Sequence, residues 1–262
     1  MTSVADRTID ALRSIHHELA AAVSGLSDEQ LIARSGASEW SVAQVLSHLG
    51  SGAEISLATL RAAMAATTGP GNDFNQEVWA RWNALSPRGQ ASGFLAADER
   101  LVEALEVLTA EERQSLHVEL GFLPSPIPIA AYTGMRLNEA AQHSWDVRVS
   151  LDPVATIAAD TATLLAEHFA TSLSFLLGFT GKADALDHPA VIDIHGSDFA
   201  LVIAATVSLS TSTSEPTATF TGQLEAAIRL LAGRLTTPYT PTDVEVTGNV
   251  TLDDLRRVFP GY

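Results

Sequence analysis

The hydropathy pattern of this chain changes near Leu151-Asp152-Pro153, and one regular architecture cannot accommodate both patterns. Before that tripeptide, apolar residues recur every three to four positions over long stretches, which is typical of amphipathic helices. After residue 190, short segments alternate apolar and polar residues, which indicates strands. The sequence therefore predicts two domains, residues 1–152 and 153–262, and the chain is long enough for both.

The first domain is predicted to be a bundle of four main helices. Their apolar periodicity covers residues 3–26, 41–64, 89–108 and 129–149. The second helix has a defined start, because Ser41 followed three positions later by Gln44 forms a capping-box pattern. The proline-dense stretch 123–128 is incompatible with a helix and separates the third from the fourth. Helices of this length, joined by loops, pack as a helical bundle.

The second domain is predicted to be a small α+β fold. Residues 155–179 are interpreted as one helix with a broad apolar face. Strands are predicted at 190–195, at 199–209 as one strand or a pair, at 216–222 and at 243–247. Two further helices are predicted at 222–235 and 252–259, and a polar Ser/Thr-rich connection at 210–215. The resulting fold class is a helical bundle followed by a mixed α+β domain.

The amino-acid composition excludes several classes of function. The formal net charge is −16, from 31 acidic and 15 basic groups that are interspersed without a basic stripe, so nucleic-acid binding is not expected. The chain has no cysteine, which excludes disulfides, thiolate metal sites and a thiol nucleophile of its own. Neither a signal peptide nor an apolar run of about 18 residues is found. We therefore expect a cytoplasmic protein with no membrane contact.

The fourth predicted helix carries an unusual line of polar residues. Arg136, Glu139 and His143 fall three and four positions apart and share one helix face. Taken alone, this line is typical of a solvated helix face. On the second helix, His48 falls on a row that is otherwise apolar or small, where a satisfied core histidine is the usual explanation. His16 in the first helix is interpreted as a surface or partly packed residue.

Together, these residues allow a more specific hypothesis. Ligands that face the interior of a bundle from two helices can converge on one metal ion. His48, Glu139 and His143 would supply two imidazoles and one carboxylate and leave one position open, as catalytic zinc sites do. Zn²⁺ suits this set, while Fe²⁺ and Ni²⁺ are not excluded by ligand type.

Two stretches resemble a known family. WSVAQVLSHL at residues 40–49 is similar to the first metal motif of the DinB-like metal-dependent bundles. RLNEAAQHSWD at residues 136–146 resembles the R-x-x-E-x-x-x-H-x-x-D stretch of the mycothiol-dependent maleylpyruvate isomerase family. Most DinB-like proteins have H-x-x-x-H here, so Glu139 indicates the isomerase subgroup. The stretches 227–234 and 244–249 resemble the sterol-carrier-like α+β domain that completes the family.

The resemblance implies a metal-bound thiol cofactor, mycothiol. Zn²⁺ would lower the pKa of its thiol, and the thiolate would add to an activated alkene of a small electrophilic substrate. Rotation about the former double bond and loss of the thiol would give cis–trans isomerisation. Retention of the thiol would make the chain an S-transferase.

Arginines are natural anchors for an anionic substrate or cofactor. Arg136 is a candidate catalytic residue, unless it only pairs with an acidic neighbour. Arg234 is a candidate catalytic and cofactor-binding residue, unless it only offsets the dipole at a helix C-terminus. Two other functions stay open: a non-catalytic small-ligand-binding protein that retains the metal, and a metal-dependent hydrolase such as an amidase. Neither the substrate nor the oligomeric state is indicated.

Overall fold

The computed structural model describes residues 3–37, 39–211 and 215–261. Its chain divides into two compact units, Met1–Ala155 and Thr156–Tyr262. Three residues of the predicted Ser/Thr-rich connection, 212–214, lie outside the described residues.

The first unit is built from helices. These are α1 (Val4–Ser24), α2 (Asp28–Ile32), α3 (Val42–Met64), α4 (Asn72–Asn83), α5 (Pro87–Glu106), α6 (Ala110–Ser115) and α7 (Ile129–Arg148). A short antiparallel pair, β1 (His117–Val118) and β2 (Ile127–Pro128), spans the proline-dense stretch. The four predicted helices correspond to α1, α3, α5 and α7.

The capping box predicted at the start of α3 is present. The Gln44 amide donates to Ser41 Oγ at 3.3 Å, and the Ser41 amide donates to Gln44 Oε1 at 2.8 Å. These bonds satisfy backbone donors that have no partner within the helix, and they fix the residue at which α3 begins. The orientation of His48 on α3 follows from that start.

Helix α7 lies at the centre of the first unit. It packs on α1 and α3, while α5 packs on α3 and α1. Most of the residues of α7 are buried, including polar ones such as Arg136, Asn138 and Asp146. Polar groups in such a helix need partners, because an unsatisfied buried donor or acceptor costs about 1–3 kcal/mol. The line of polar residues on α7 is therefore an interior feature of the fold, and the solvated-face interpretation is wrong for Arg136 and His143.

Gly50 lets α3 approach the indole of Trp82 in α4 closely. A Cβ at Gly50 would lie 2.2 Å from the ring of Trp82, which is buried and donates from Nε1 to Glu54 Oε2 at 2.9 Å. We expect Gly50→Ala to lower the free energy of unfolding by about 1–3 kcal/mol through overpacking. Urea denaturation measures this. Gly178→Ala is the control, since a Cβ there meets nothing within 4 Å; a Gly50→Ala protein as stable as the wild type would contradict the packing.

The second unit combines helices with a five-stranded sheet. Its helices are α8 (Ala159–Ala170), α9 (Ser174–Thr180), α10 (Leu224–Leu231) and α11 (Leu252–Val258). Its strands are β3 (Ala190–Ile194), β4 (Ala200–Ile203), β5 (Val207–Ser210), β6 (Ala218–Thr221) and β7 (Glu245–Gly248). The order is β5-β4-β3-β6-β7, with β3 and β6 parallel and the other pairs antiparallel. The region 199–209 is a pair of strands.

The predicted single helix over residues 155–179 is wrong. The chain leaves the helix at Thr171, and α8 and α9 are bent by 88° from each other. The Thr171 hydroxyl donates to the Glu167 carbonyl at 2.6 Å, and Ser172 Oγ lies 2.9 Å from His168 Nδ1. These side chains bond to the last turn of α8 and compete with its continuation. Apolar periodicity persists through the bend and so does not reveal it.

The predicted fold class is confirmed, because a helical unit is followed by a mixed α+β unit. None of the helices that the structure describes has by itself the length and apolar character needed to span a membrane; α8 and α9 reach them only when taken together across their 88° bend.

Candidate metal centre

Three potential ligands meet between α3 and α7. His48 comes from α3, and Glu139 and His143 come from successive turns of α7. Their ligand atoms all lie within 4.8 Å of one another, and no other group of three such side chains is found within the described residues. Glu139 Oε2 lies 2.9 Å from His48 Nε2 and 3.7 Å from His143 Nε2. The structure thus brings together the three residues predicted as ligands.

The cluster is closed on one side and open on the other. The His143 side chain is 7% exposed, whereas those of His48 and Glu139 are 39% and 35% exposed. A set of three protein ligands with one accessible side is the arrangement of catalytic metal sites, in which water or a substrate takes the remaining position.

Asp146 orients the ring of His143. Its carboxylate oxygen lies 2.8 Å from His143 Nδ1, and its side chain is fully buried. A carboxylate only accepts, so Nδ1 carries the hydrogen and the lone pair of Nε2 points towards the cluster. Asp146 follows His143 by three positions, and this helical spacing is a sequence signal that could have identified it.

The ionisation of Glu139 also fits a metal ligand. Partial burial raises the pKa of its carboxyl group, but the hydrogen bond with His48 and the charge of Arg136 help to outweigh burial, and the pKa is lowered to about 2. Glu139 is therefore a carboxylate at neutral pH, the form that binds a cation. The donor set and its orientation both fit a divalent metal ion.

Trp40 covers part of the cluster. Its ring centroid lies 5.1 Å from that of His48 and 5.9 Å from that of His143. The Trp40 carbonyl accepts from the amide and hydroxyl of Ser35, and the Gly36 amide donates to the Asp146 carbonyl at 2.8 Å. These bonds fix the turn before α3 against α7. The sequence motif contained Trp40, but helical spacing could not place its ring, because Trp40 precedes α3.

Arg136 lies near the cluster and has an acidic partner outside it. Its Nη2 donates to Asp98 Oδ1 at 2.7 Å and to the Leu49 carbonyl at 3.1 Å. The other oxygen of Asp98 lies 2.8 Å from Nδ1 of His16, which is itself buried. A buried polar network thus joins α1, α5 and α7. The expectation that His16 is a surface or partly packed residue is wrong, because its side chain is buried and forms an ion pair in the interior.

Arg234 lies in the second unit, after α10. It is buried, and its Nη1 donates to the Ala232 carbonyl at 3.0 Å. This bond to the end of α10 matches the dipole-offsetting alternative. Its role in cofactor binding stays a prediction.

The family model described as "Mycothiol maleylpyruvate isomerase N-terminal domain" matches residues 12–148 of this chain. This stretch is more than half of the chain and includes all three candidate ligands. The chain belongs to the mycothiol maleylpyruvate isomerase family. This is a family of enzymes, and the family recognised from the sequence motifs is confirmed.

Solved structures support the same fold for this family member. A crystal structure of a mycothiol-dependent maleylpyruvate isomerase is 16% identical, with a TM-score of 0.67. A histidine-to-alanine mutant of a mycothiol-dependent maleylpyruvate isomerase is 15% identical, with a TM-score of 0.67. Each match covers 95% of this chain and 98% of the other. A search of curated proteins gives no match.

Proposed function

We propose that this chain is a metal- and mycothiol-dependent enzyme that isomerises a small activated alkene from cis to trans, as a maleylpyruvate isomerase does. The observation that carries the proposal is the cluster of His48, Glu139 and His143, which is open on one side in a member of this family. Zn²⁺ is the proposed metal, because two imidazoles and a carboxylate with an open position suit it.

His48, Glu139 and His143 would hold the metal. When bound there, Zn²⁺ would lower the pKa of the mycothiol thiol, so that a thiolate is available for addition to the alkene. The chain has no cysteine, so the thiol has to come from the cofactor. Asp146 keeps the Nε2 lone pair of His143 directed at the site, and Glu139 supplies a negative charge that partly neutralises the cation.

Trp40 lies on one side of the site, and the other side is accessible from solvent. The indole packs against both imidazoles and covers them on that side. Cofactor and substrate then approach where His48 and Glu139 are exposed. Arg234 remains a candidate anchor for an anionic group of the cofactor, on the strength of guanidinium chemistry.

The test is turnover of maleylpyruvate by the purified protein, with its metal content measured first. We expect about one equivalent of zinc, turnover only with mycothiol, and loss of turnover after chelation that is restored by Zn²⁺. Mass spectrometry of the product identifies the reaction class: an isomer of unchanged mass supports the proposal, and a thiol conjugate would replace it with an S-transferase.

Two results would reject the proposal. Turnover without mycothiol would remove the cofactor and favour a hydrolase that uses metal-bound water. A metal-loaded protein that binds maleylpyruvate without converting it would be a ligand-binding protein.

A further inference from the structure

The two candidate histidine ligands are held in different ways. A metal-binding histidine is usually oriented by a hydrogen bond at the ring nitrogen that does not bind the metal. In His143 that nitrogen, Nδ1, lies 2.8 Å from the buried carboxylate of Asp146. The ring of His48 bonds only to Glu139 among the described residues, and it does so through Nε2. The described chain therefore provides no hydrogen-bond partner that orients His48 through Nδ1.

An imidazole without that hydrogen bond can rotate about its Cβ–Cγ bond. This torsion is broad and roughly two-fold in histidine, and a half-turn exchanges the positions of Nε2 and Cε1. A carbon would then face Glu139 in place of the ligand nitrogen. The His48 side chain is 39% exposed, so only part of its ring is enclosed by protein. If the ring rotated freely, the apparent metal affinity would fall with the fraction of correctly oriented rings.

The indole of Trp40 restricts this rotation. The ring centroids of Trp40 and His48 lie 5.1 Å apart, and the two planes are inclined by 45°. Trp40 also stacks on His143 at 5.9 Å and 24°, and the two imidazoles lie 4.7 Å apart. All three distances fall in the range of attractive aromatic pairs. A half-turn of the His48 ring would have to disturb its contacts with both of the other rings.

The backbone of Trp40 is itself held against α7. The Ser35 amide and hydroxyl donate to the Trp40 carbonyl at 3.0 Å and 2.8 Å. Next to Ser35, the Gly36 amide donates to the Asp146 carbonyl at 2.8 Å. A Cβ at Gly36 would lie 3.0 Å from the Asp146 Cα, so glycine allows the turn to lie this close to the helix. Trp40 is thus anchored on the helix that carries the other two candidate ligands.

We propose that Trp40 is a positioning residue for the metal, because its indole holds the imidazole of His48 in the orientation that binds the ion. The aromatic contact takes the place of a hydrogen-bond acceptor at Nδ1, whereas Asp146 supplies such an acceptor to His143. Trp40 acts through the His48 ring and does not bind the metal. The inference rests on the metal site of the proposed function, but it depends on neither the thiol nor the substrate.

Two substitutions of Trp40 separate orientation by an aromatic ring from simple apolar cover. Trp40→Leu keeps an apolar side chain without a ring, and Trp40→Phe keeps a flat ring. We expect Trp40→Leu to weaken zinc binding roughly 10- to 100-fold, as loss of a residue that orients a metal ligand does. We expect Trp40→Phe to bind zinc about as tightly as the wild type. Competition with a chromophoric chelator measures the affinities.

Trp79→Leu is the matched control. Trp79 lies on α4 and is 40% exposed, compared with 37% for Trp40, so both substitutions remove a partly exposed indole from the same unit. The control should leave the zinc affinity unchanged. A Trp40→Leu protein that binds zinc as tightly as the wild type would overturn the inference. Equal losses in Trp40→Leu and Trp40→Phe would overturn it as well, because the aromatic ring would then not be the orienting group.

The metal-free protein provides a second measurement. With isotope-labelled histidine, nuclear magnetic relaxation at Cε1 reports the mobility of each imidazole, and His48→Ala assigns the signals. We expect Trp40→Leu to increase the mobility of the His48 ring, while His143 stays ordered because Asp146 still holds it. General loosening of the packing would mobilise both rings. Equal changes in the two rings, or no change in His48, would contradict the proposed role of Trp40.

The proposed function and this inference can fail separately. If the wild type binds zinc and its affinity depends on Trp40, but mycothiol-dependent turnover is absent, the function is wrong and the inference stands. If turnover is present and Trp40→Leu keeps the wild-type zinc affinity, the inference is wrong and the function stands. A wild-type protein with no affinity for zinc would reject both.

Discussion

Replacing His48 with alanine is expected to abolish stoichiometric zinc binding and to reduce turnover by roughly a thousandfold or more. His48 is the only candidate ligand on α3; the other two are on α7. Without it, the site keeps one imidazole and one carboxylate, and the metal loses its bond to a second helix. The metal's contribution to catalysis is several kcal/mol, and each 1.4 kcal/mol is tenfold in rate. Zinc content after dialysis and kcat/KM with mycothiol are the measurements.

The His48 variant should fold, so that its loss of function is interpretable. The side chain is 39% exposed, and its recorded side-chain contacts are with Glu139, His143 and Trp40. We expect the free energy of unfolding of the metal-free protein to change by less than about 1 kcal/mol. His17→Ala, at an exposed position of α1, serves as the control and should keep both metal and turnover. A His48→Ala protein that retained a full equivalent of zinc would show that the ligand set is wrong.

Replacing Asp98 with alanine is expected to cause the largest loss of stability, about 3–5 kcal/mol of unfolding free energy. The Asp98 side chain is 9% exposed and contacts both Arg136 and His16. Its removal leaves two buried nitrogen groups without their acceptor and breaks the polar network between α1, α5 and α7. Glu103→Ala, at an exposed position of the same helix, should change stability by less than about 0.5 kcal/mol. Equal stability of the two variants would contradict the network.

The ionisation of Asp98 should also make the stability of the folded protein depend on pH. Burial raises the pKa of Asp98, but the hydrogen bond from His16 and the charge of Arg136 outweigh burial and lower the pKa below its ordinary value of 3.8. The folded state therefore binds this proton more weakly than the unfolded state does. The stabilisation is complete above the unfolded pKa and is lost as the pH falls through the folded pKa. We expect the stability difference between wild type and Asp98→Asn to shrink as the pH drops below about 4.

The candidate ligands could be predicted from the sequence because each depends on local spacing. Glu139 and His143 share a face by helical periodicity, and His48 stood out as the polar member of an apolar row. The strands of the second unit were found for a similar reason, since alternation marks a half-buried strand. The Arg136–Asp98 pair was not predictable in this way. It joins residues that are 38 positions apart and lie on two different helices. The rotation of these helices relative to each other is set by packing, and residue spacing along one helix does not predict it.

The position of Trp40 has a practical consequence. It is one of four tryptophans, and its ring packs against the two imidazoles of the candidate metal centre. Indole fluorescence depends on the groups in contact with the ring, so an ion or ligand that reorients either imidazole alters the emission of Trp40. The Ser35 amide and hydroxyl both donate to the Trp40 carbonyl, which holds the backbone of Trp40 in place. The intrinsic tryptophan fluorescence of the protein therefore reports whether the candidate metal centre is occupied, without any added label.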